Sequence, residues 1–323
     1  MTDQNALFQL GAFLQESGYS FTTVTPVSHA RVLGRTGGEQ TGYCEAEGRD
    51  LRDIFGWNKP FERAALPTEI FSLLEACGAI EHAVGAFEQS PMLRSRVRFS
   101  TLGRDIFVHS AYPTKQADSV FFGPDTYRFV YLIEREVARI ESPLDRIVDI
   151  GCGAGPGGIA AARKRPNCAL VLADINILAL KYAEVNARLA GLSNARTIQS
   201  DLYAALEETF DLIVSNPPYL LDAEARTYRH GGGKFGSSLS KQIVVEGLPR
   251  LAPGGTLILY TGAPIVHGRD VFLESLMPEL EQAGMDYRYC ELDPDVFGEE
   301  LENPGYEDVD RIAAVALVVK AKA

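Results

Sequence analysis

The chain has 323 residues, 46% of them apolar and 23% charged, which is enough material for two domains with sizeable cores. No run of about 18 apolar residues marks a membrane span, and the opening Met-Thr-Asp-Gln-Asn has neither the basic start nor the apolar core of a signal peptide. The net charge of −12 argues against broad contact with a phosphate backbone, and the five cysteines, at 44, 77, 152, 168 and 290 with no Cys-x-x-Cys pair, read as reduced thiols of a cytoplasmic protein.

Residues 1–115 are expected to form a small α+β domain. Leu7 to Leu14 has helical spacing, and Thr68 to Cys77 reads as a helix stopped by Gly78. Val97 to Phe99 and Ile106 to His109 are expected to pair through a turn at Gly103. Helices followed by a two-stranded wing resemble a winged-helix arrangement, and the domain is expected to serve substrate recognition, as the family resemblance given below implies. Arg94, Arg96 and Arg98 alternate with Ser95 and Val97, which would put them on one strand face. That face reads either as a solvated surface or as a contact for RNA phosphate or an acidic partner. His82 and His109 have no partners at metal-ligand spacing, so they are read as structural and no metal site is expected.

Residues 116–323 carry an alternation of strands and helices that predicts an open α/β sheet. Arg146 to Ile150 reads as a buried strand, followed by the glycine loop from Gly151 to Gly158 and a helix opening at Ile159. Glycines allow tight turns and close approach to a ligand, and a helix N-terminus adds free N–H groups. Leu170 to Asp174 is a second strand ending in an acid, about 20 residues beyond the glycines, the spacing at which a carboxylate reaches a ribose. A helix with Ile177, Leu180, Ala183, Ala187 and Leu189 follows, then a third strand from Arg196 to Gln199 with Ser200-Asp201 at its end. Asp174 and Asp201 also suit ordinary caps at strand-to-helix junctions.

The fourth strand, Asp211 to Ser215, runs into Asn216-Pro217-Pro218-Tyr219. Two prolines forbid both ladder and helix. They would hold an extended loop whose Pro217 carbonyl lacks a sheet partner, between an amide side chain and an aromatic ring. Such a device could grip a flat group bearing an NH2.

Together, Asp149-Ile-Gly151-Cys-Gly153-Ala-Gly155, Asp174, Asp201 and the Asn-Pro-Pro-Tyr loop resemble the class I methyltransferases that use S-adenosyl-L-methionine (SAM). The resemblance covers about residues 116 to 323. The loop is similar to that of HemK-type protein glutamine methyltransferases and of adenine amino methyltransferases. Phe122-Gly123-Pro124-Asp125-Thr126 resembles the element before the first strand in HemK-type enzymes. The resemblance implies a seven-stranded Rossmann-like sheet. It implies that Asp149, Gly151, Gly153 and Gly155 hold the methionine end of SAM, that Asp174 accepts the ribose hydroxyls, and that Asp201 and Leu202 meet the adenine. It implies that Asn216, Pro217 and Tyr219 hold the substrate nitrogen. The leading substrate is a protein glutamine. The runner-up is an adenine in structured rRNA or tRNA, and a small molecule ranks third. A nicotinamide dehydrogenase would share the glycine loop and Asp174. It has no use for the 216–219 loop, and Asp149 would repel a pyrophosphate. HemK-type N-terminal domains are usually purely helical, and the expected hairpin departs from that pattern.

Further on, Pro253-Gly254-Gly255 reads as a turn before a strand from Thr256 to Thr261, and Asp270 to Ala283 as a helix stopped by Gly284. Tyr287 to Leu292 and Ile312 to Val319 are expected as an antiparallel pair at the sheet edge. The connection over 293–310 is acidic and reads either as a surface for a basic substrate segment or as a solvated loop. His230 to Gly236 is glycine-rich and reads as a mobile cover. Cys152 reads as a small packing residue.

Overall fold

A computed structural model describes residues 3–34, 50–83, 92–114, 116–222 and 228–322. The chain divides into two compact units. The first comprises Met1–Lys115, Val120–Tyr127 and Glu184–Ser193, and the second Gln116–Ser119, Arg128–Ala183 and Asn194–Ala323. Cys44 lies outside the described residues.

In the first unit, α1 (Gln4–Glu16) starts at Asp3, whose carboxylate accepts from the N–H groups of Asn5 and Ala6, and it buries Ala6, Leu7, Leu10 and Leu14 along one stripe. Three further helices follow, α2 (Pro26–Gly34), α3 (Leu51–Phe55) and α4 (Thr68–Ala76). The short strands β1 (Ile80–His82) and β2 (Leu93–Ser95) pair antiparallel. The expected hairpin is present as β3 (Val97–Leu102) and β4 (Asp105–Ser110), paired from Val97↔Ser110 to Leu102↔Asp105, with Gly103 in the turn at φ 60°. The side-chain amide of Asn186 stands in for one more strand on β4, donating to Val108 O at 3.0 Å and accepting from Val108 N at 2.8 Å.

The three arginines do not share a face. Arg96 sits at the bend between β2 and β3, which belong to different sheets, so the alternation is broken there. Arg96 is exposed, Arg94 is partly buried and Arg98 is buried. His109 is structural, as expected. It stacks on Phe122 at 4.9 Å, and its ring nitrogens meet Ser110 O at 3.0 Å and Ser100 Oγ at 2.8 Å. Burial holds it neutral.

The second unit is built on one sheet. Its strands are β5 (Arg146–Ile150), β6 (Ala169–Asp174), β7 (Ala195–Gln199), β8 (Phe210–Ser215), β9 (Leu251–Val266), β11 (Asp286–Asp293) and β12 (Val309–Lys320), in the order β11-β12-β9-β8-β5-β6-β7. A two-residue β10 (Arg269–Asp270) adds to β9, making eight strands where seven were expected. β5 to β8 and the β8–β9 pair are parallel, while β12 runs antiparallel to both β9 and β11. Val148, Ile150, Ile213, Leu257, Leu259, Val315 and Leu317 are fully or almost fully buried in the core. Such near-continuous apolar runs belong to strands covered on both faces. Pro253-Gly254-Gly255 lies within β9, where the β8 pairing jumps from Phe210↔Leu251 to Leu212↔Thr256, so the expected turn is a bulge in a continuous strand. The remaining α-helices among the described residues are α5 (Pro124–Val137), α6 (Pro156–Lys164), α7 (Ile177–Leu189), α8 (Ser238–Gly247) and α9 (Val271–Ala283).

Near the end of α5, the buried Glu136 carboxylate accepts from Arg135 Nε at 3.1 Å, from Arg139 Nη1 at 2.9 Å, and from Arg288 on the edge strand β11. Burial pushes its pKa up, but the Arg288 hydrogen bond and the charges of Arg288 and Arg139 outweigh that and hold it below the ordinary glutamate value. A depressed carboxylate stabilises the fold above its unfolded pKa and loses that contribution as pH falls through the folded one. Glu136→Ala is expected to cost about 2 kcal/mol at neutral pH, with the gap to wild type closing below the ordinary glutamate range. Thermal unfolding across a pH series checks this.

Candidate functional site

The sheet register gathers the expected residues into one row. Ile150 of β5 pairs with Ala173 of β6 and with Ser215 of β8, so Gly151, Asp174 and Asn216 all emerge one residue beyond the same level. Side chains and loop amides lock that level. Ser215 is fully buried and its hydroxyl donates to Ile150 O at 2.7 Å. Gly151 N and Cys152 N both donate to Ala173 O, at 2.9 and 3.0 Å. The strand order reverses at β5, and the carboxyl ends flanking such a reversal are where open α/β sheets bind ligands.

Gly151, Gly153 and Gly155 have φ of 66°, 53° and 82°, backbone that other residues adopt only with strain. α6 then begins on Pro156. A Cβ on Gly158 would stand 2.8 Å from Leu172 and 3.0 Å from Asp149, so the helix can reach the sheet only without one. Asp149, 1% exposed, accepts from Gly158 N at 2.7 Å through Oδ2, while its buried Oδ1 has no partner. Burial raises its pKa from 3.8 to about 7, with the Asp174 charge adding to the rise. Cys152 is buried in the same loop, and burial plus the two acids keep it a neutral thiol, in keeping with a packing role.

Asp174 spans the loop mouth. Its Oδ2 accepts from Gly153 N and its Oδ1 from Asn176 N, both at 2.8 Å. Burial raises its pKa. The cap of α7 is Asn176, whose Oδ1 accepts from Leu178 N at 2.9 Å, so Asp174 is free of that duty. Asp201 is exposed and opens a run of turns, with no helix behind it to cap. Leu202 takes φ 46°, held by the Ser200 hydroxyl, which donates to Leu202 O at 2.7 Å.

The Asn-Pro-Pro-Tyr loop leaves β8 with Asn216 partly buried and Pro217 buried. Among the described residues, the Asn216 side chain and the Pro217 carbonyl have no hydrogen-bond partner. Tyr219 is 6% exposed, with its ring seated on Gly262 of β9 and edge-on to Phe297 at 5.9 Å.

Two further segments are built onto this loop. Leu220 and His230 form a bridge, with Leu220 N donating to Arg229 O at 3.1 Å and Gly231 N to Leu220 O at 2.9 Å. A Cβ on Gly231 would stand 2.7 Å from Pro218 O, and one on Gly236 would stand 2.5 Å from Tyr219 O. The glycines of 230–236, expected to give mobility, instead let backbone pack on backbone. The acidic connection also folds inward. Tyr306 Oη accepts from Leu221 N at 2.9 Å. The buried Glu300 pairs with Arg229 and accepts from Asn303 Nδ2 at 3.0 Å. Arg229 Nε lies 3.7 Å from Asp222 as well. Glu299, Glu302, Glu307, Asp308 and Asp310 remain exposed.

Sequence reading missed Ser215, Arg229, Glu300 and Tyr306, because each acts through a partner distant along the chain. It also passed over Ile175, 55% exposed directly after Asp174, which was legible as an apolar residue too early for the helical stripe. Among the described residues, no group of three His, Cys, Asp or Glu side chains could hold a metal ion, and no helix is long and apolar enough to cross a membrane.

Residues 136–282 match the family model described as Methyltransferase small domain. That stretch contains β5 to β10 and the loops that carry the candidate site. The chain is 32% identical over 200 residues to a release factor glutamine methyltransferase of Deinococcus radiodurans, covering 58% of this chain and 66% of that protein. It is 37% identical over 145 residues to a ribosomal protein uL3 glutamine methyltransferase of Neisseria meningitidis serogroup A, covering 41% of this chain and 46% of that protein. The match thus spans less than two thirds of either relative's length. The solved structure of Trm5b from Pyrococcus abyssi shares the fold, with TM-score 0.50 and 15% identity over 76% of this chain and 63% of that one.

Two outcomes follow from the geometry. A carboxyl whose folded pKa is raised contributes stability below its unfolded pKa and loses it as pH rises through the folded value. The stability of Asp149→Asn relative to wild type is therefore expected to rise between about pH 4 and 7 and level off above, as measured by thermal unfolding of the ligand-free proteins. Glu300→Ala leaves Arg229 without its main partner, and is expected to speed amide exchange at Leu220, Leu221 and Gly231 by about tenfold or more while the β5 and β6 amides stay protected.

Proposed function

We propose that the chain is a SAM-dependent N-methyltransferase acting on the side-chain amide of a protein glutamine. The observation that carries this reading is the pair of acceptors Asn216 Oδ1 and Pro217 O, unpartnered among the described residues and one and two residues past the register row that also delivers Gly151 and Asp174. The names of the curated relatives, glutamine methyltransferases for release factor and for uL3, support the choice of amide.

The residues present fit SAM. Asp149 offers a buried, unpartnered Oδ1 in a carboxyl already short of compensation, which suits the cationic methionine end. The would-be Cβ of Gly151 meets open space, room for a ligand against bare backbone, and Gly153 and Gly155 complete the turn. The Asp174 carboxylate accepts from the Gly153 and Asn176 amides, the Ile175 amide also bears on it, and it keeps acceptor capacity for a ribose hydroxyl. The exposed Ile175 and the turn at Asp201-Leu202 offer a face and an edge for adenine. When bound, SAM supplies an electrophilic methyl on a sulfonium.

The chain's own task is to make a poor nucleophile good. An amide lone pair is delocalised into its carbonyl. Asn216 Oδ1 and Pro217 O would accept the two hydrogens of the NH2, raising electron density on nitrogen and turning the group so that its lone pair faces the methyl. This is orientation plus preorganised electrostatics, and correct alignment alone is worth roughly 7–11 kcal/mol. The proton leaves once nitrogen has been alkylated and become acidic, so no strong base is needed. Tyr219, nearly buried, anchors the loop more than it covers substrate. An adenine amino group offers the same two hydrogens, but the arginine strand that favoured RNA loses Arg98 to the interior.

Asn216→Ala is expected to lower turnover by about 100-fold or more while SAM affinity stays within about twofold. Labelled SAM added to a lysate lacking the enzyme identifies the substrate class. Label in protein that survives nuclease treatment supports glutamine. Label in RNA, or full activity in Asn216→Ala, overturns the proposal.

A further inference from the structure

A group of buried polar atoms in the first unit takes no part in the proposed reaction. His29 Nδ1, Asn58 Oδ1, Arg94 Nε and Arg98 Nη2 are all buried without a hydrogen-bond partner. His29 and Asn58 are each 5% exposed and Arg98 is 3% exposed. Ring contacts and hydrogen bonds place Arg98, His29 and Asn58 in one cluster, and the Arg94 charge bears on the same His29 ring. Arg98 Nε donates to Gly56 O at 2.8 Å, and its guanidinium carbon lies 5.2 Å from the centre of the Phe21 ring. Phe21 meets Trp57 edge-on at 5.2 Å. The His29 ring lies 5.6 Å from Trp57 and 5.0 Å from Tyr112. Asn58 Nδ2 donates to Tyr112 O at 2.7 Å, which leaves its Oδ1 free, and Asn58 holds φ 57°, a strained value for a residue with a side chain.

The buried charge in this cluster is the Arg98 guanidinium. Among the described residues no carboxylate pairs with Arg94 or Arg98, although Asp53 pairs with Lys59 and Glu81 lies 4.0 Å from Arg96. Burial lowers the Arg98 pKa to about 10, which still leaves it charged at neutral pH. Burial and the charges of Arg98 and Arg94 lower His29 to about 4, so its ring is neutral. An uncompensated buried charge costs several kcal/mol, and buried donors without acceptors add to that cost. Two cations that bear on one buried ring, with no carboxylate partner among the described residues, mark a place for an anion.

The cover is slight. Of the nine residues of α2, only His29 is buried, and Val27 is 54% exposed. Val32 and Leu33 are partly buried and the rest of the helix is exposed, and a helix with so little buried surface opens at low free-energy cost.

We propose that this cluster encloses a chamber for a small aromatic anion, with its carboxylate or phosphate on Arg94 and Arg98, its ring among Trp57, Tyr112 and Phe21, and α2 as the cover. A hydrogen-bond donor on the ligand would satisfy Asn58 Oδ1. Guanidinium groups recognise both oxyanions, and the aromatic walls supply the apolar part of the site.

Trp57 is the sole tryptophan of the chain, so intrinsic fluorescence reports on this chamber directly. The 323-residue chain, without SAM, is titrated with benzoate and with phenyl phosphate at constant ionic strength. A saturable change in Trp57 emission is expected with at least one, and the tighter of the two identifies the oxyanion. In Arg94→Met, whose side chain is only partly buried, the midpoint should rise about tenfold or more. His29→Ala should speed association by loosening the cover, and it provides a second folded variant. No saturable response to either probe, or an unchanged midpoint in Arg94→Met, overturns the proposal and leaves enclosed water as the partner of these atoms. The readout needs no methyl transfer, so it stands or falls apart from the activity of the second unit.

Discussion

The pairing of β5 with β6 on one side and β8 on the other is the constraint on which the second unit depends. Parallel ladders have no slack at this level, because a slip of one residue would exchange the buried and outward faces of a strand. With Ile150 opposite both Ala173 and Ser215, the glycine loop, the Asp174 carboxylate and the Asn216 amide must leave the sheet together. Ser215 adds a side-chain bond across the one junction where the strand order reverses. The glycine conformations, the unpartnered oxygen of Asp149 and the close seat of α6 all follow from filling the space above that row.

Much of this was legible in the sequence. The apolar runs at Arg146–Ile150, Leu170–Asp174 and Asp211–Ser215 are bounded by glycines, acids and prolines, so strand ends fell within a residue of the structure. The site residues stand at those ends and were readable with them. Residues whose meaning lies in a distant partner were not. Arg98 reads as a surface cation until Phe21 and Gly56, about 40 or more positions away, enclose it. The glycines of 230–236 carry the same composition whether they serve motion or close approach, and only the carbonyls of Pro218 and Tyr219 decide between the two. Glu300 looks like its acidic neighbours until Arg229 takes it inside.

The two units treat buried charge differently. In the second, Glu136 and Glu300 are buried with guanidinium partners, and Asp149 is held by a helix amide on one oxygen only. In the first, Asp125 is buried as well, and the buried Arg98 is partnered by a carbonyl and a ring. Each partly compensated group is a place where the fold forgoes stability, and such places concentrate where ligands are held.

The seat of Tyr219 on Gly262, between the backbones of Gly231 and Gly236, has a consequence for the product. A loop cast so tightly cannot widen or tilt its two acceptors. Under the proposed chemistry an unmodified amide fills both, with two N–H groups for two oxygens. Once methylated, the same nitrogen has one N–H left, so one acceptor goes unpaired and the new methyl presses on a carbonyl that cannot retreat. The rigidity that prepares the first transfer thus disfavours a second, and the enzyme would count to one.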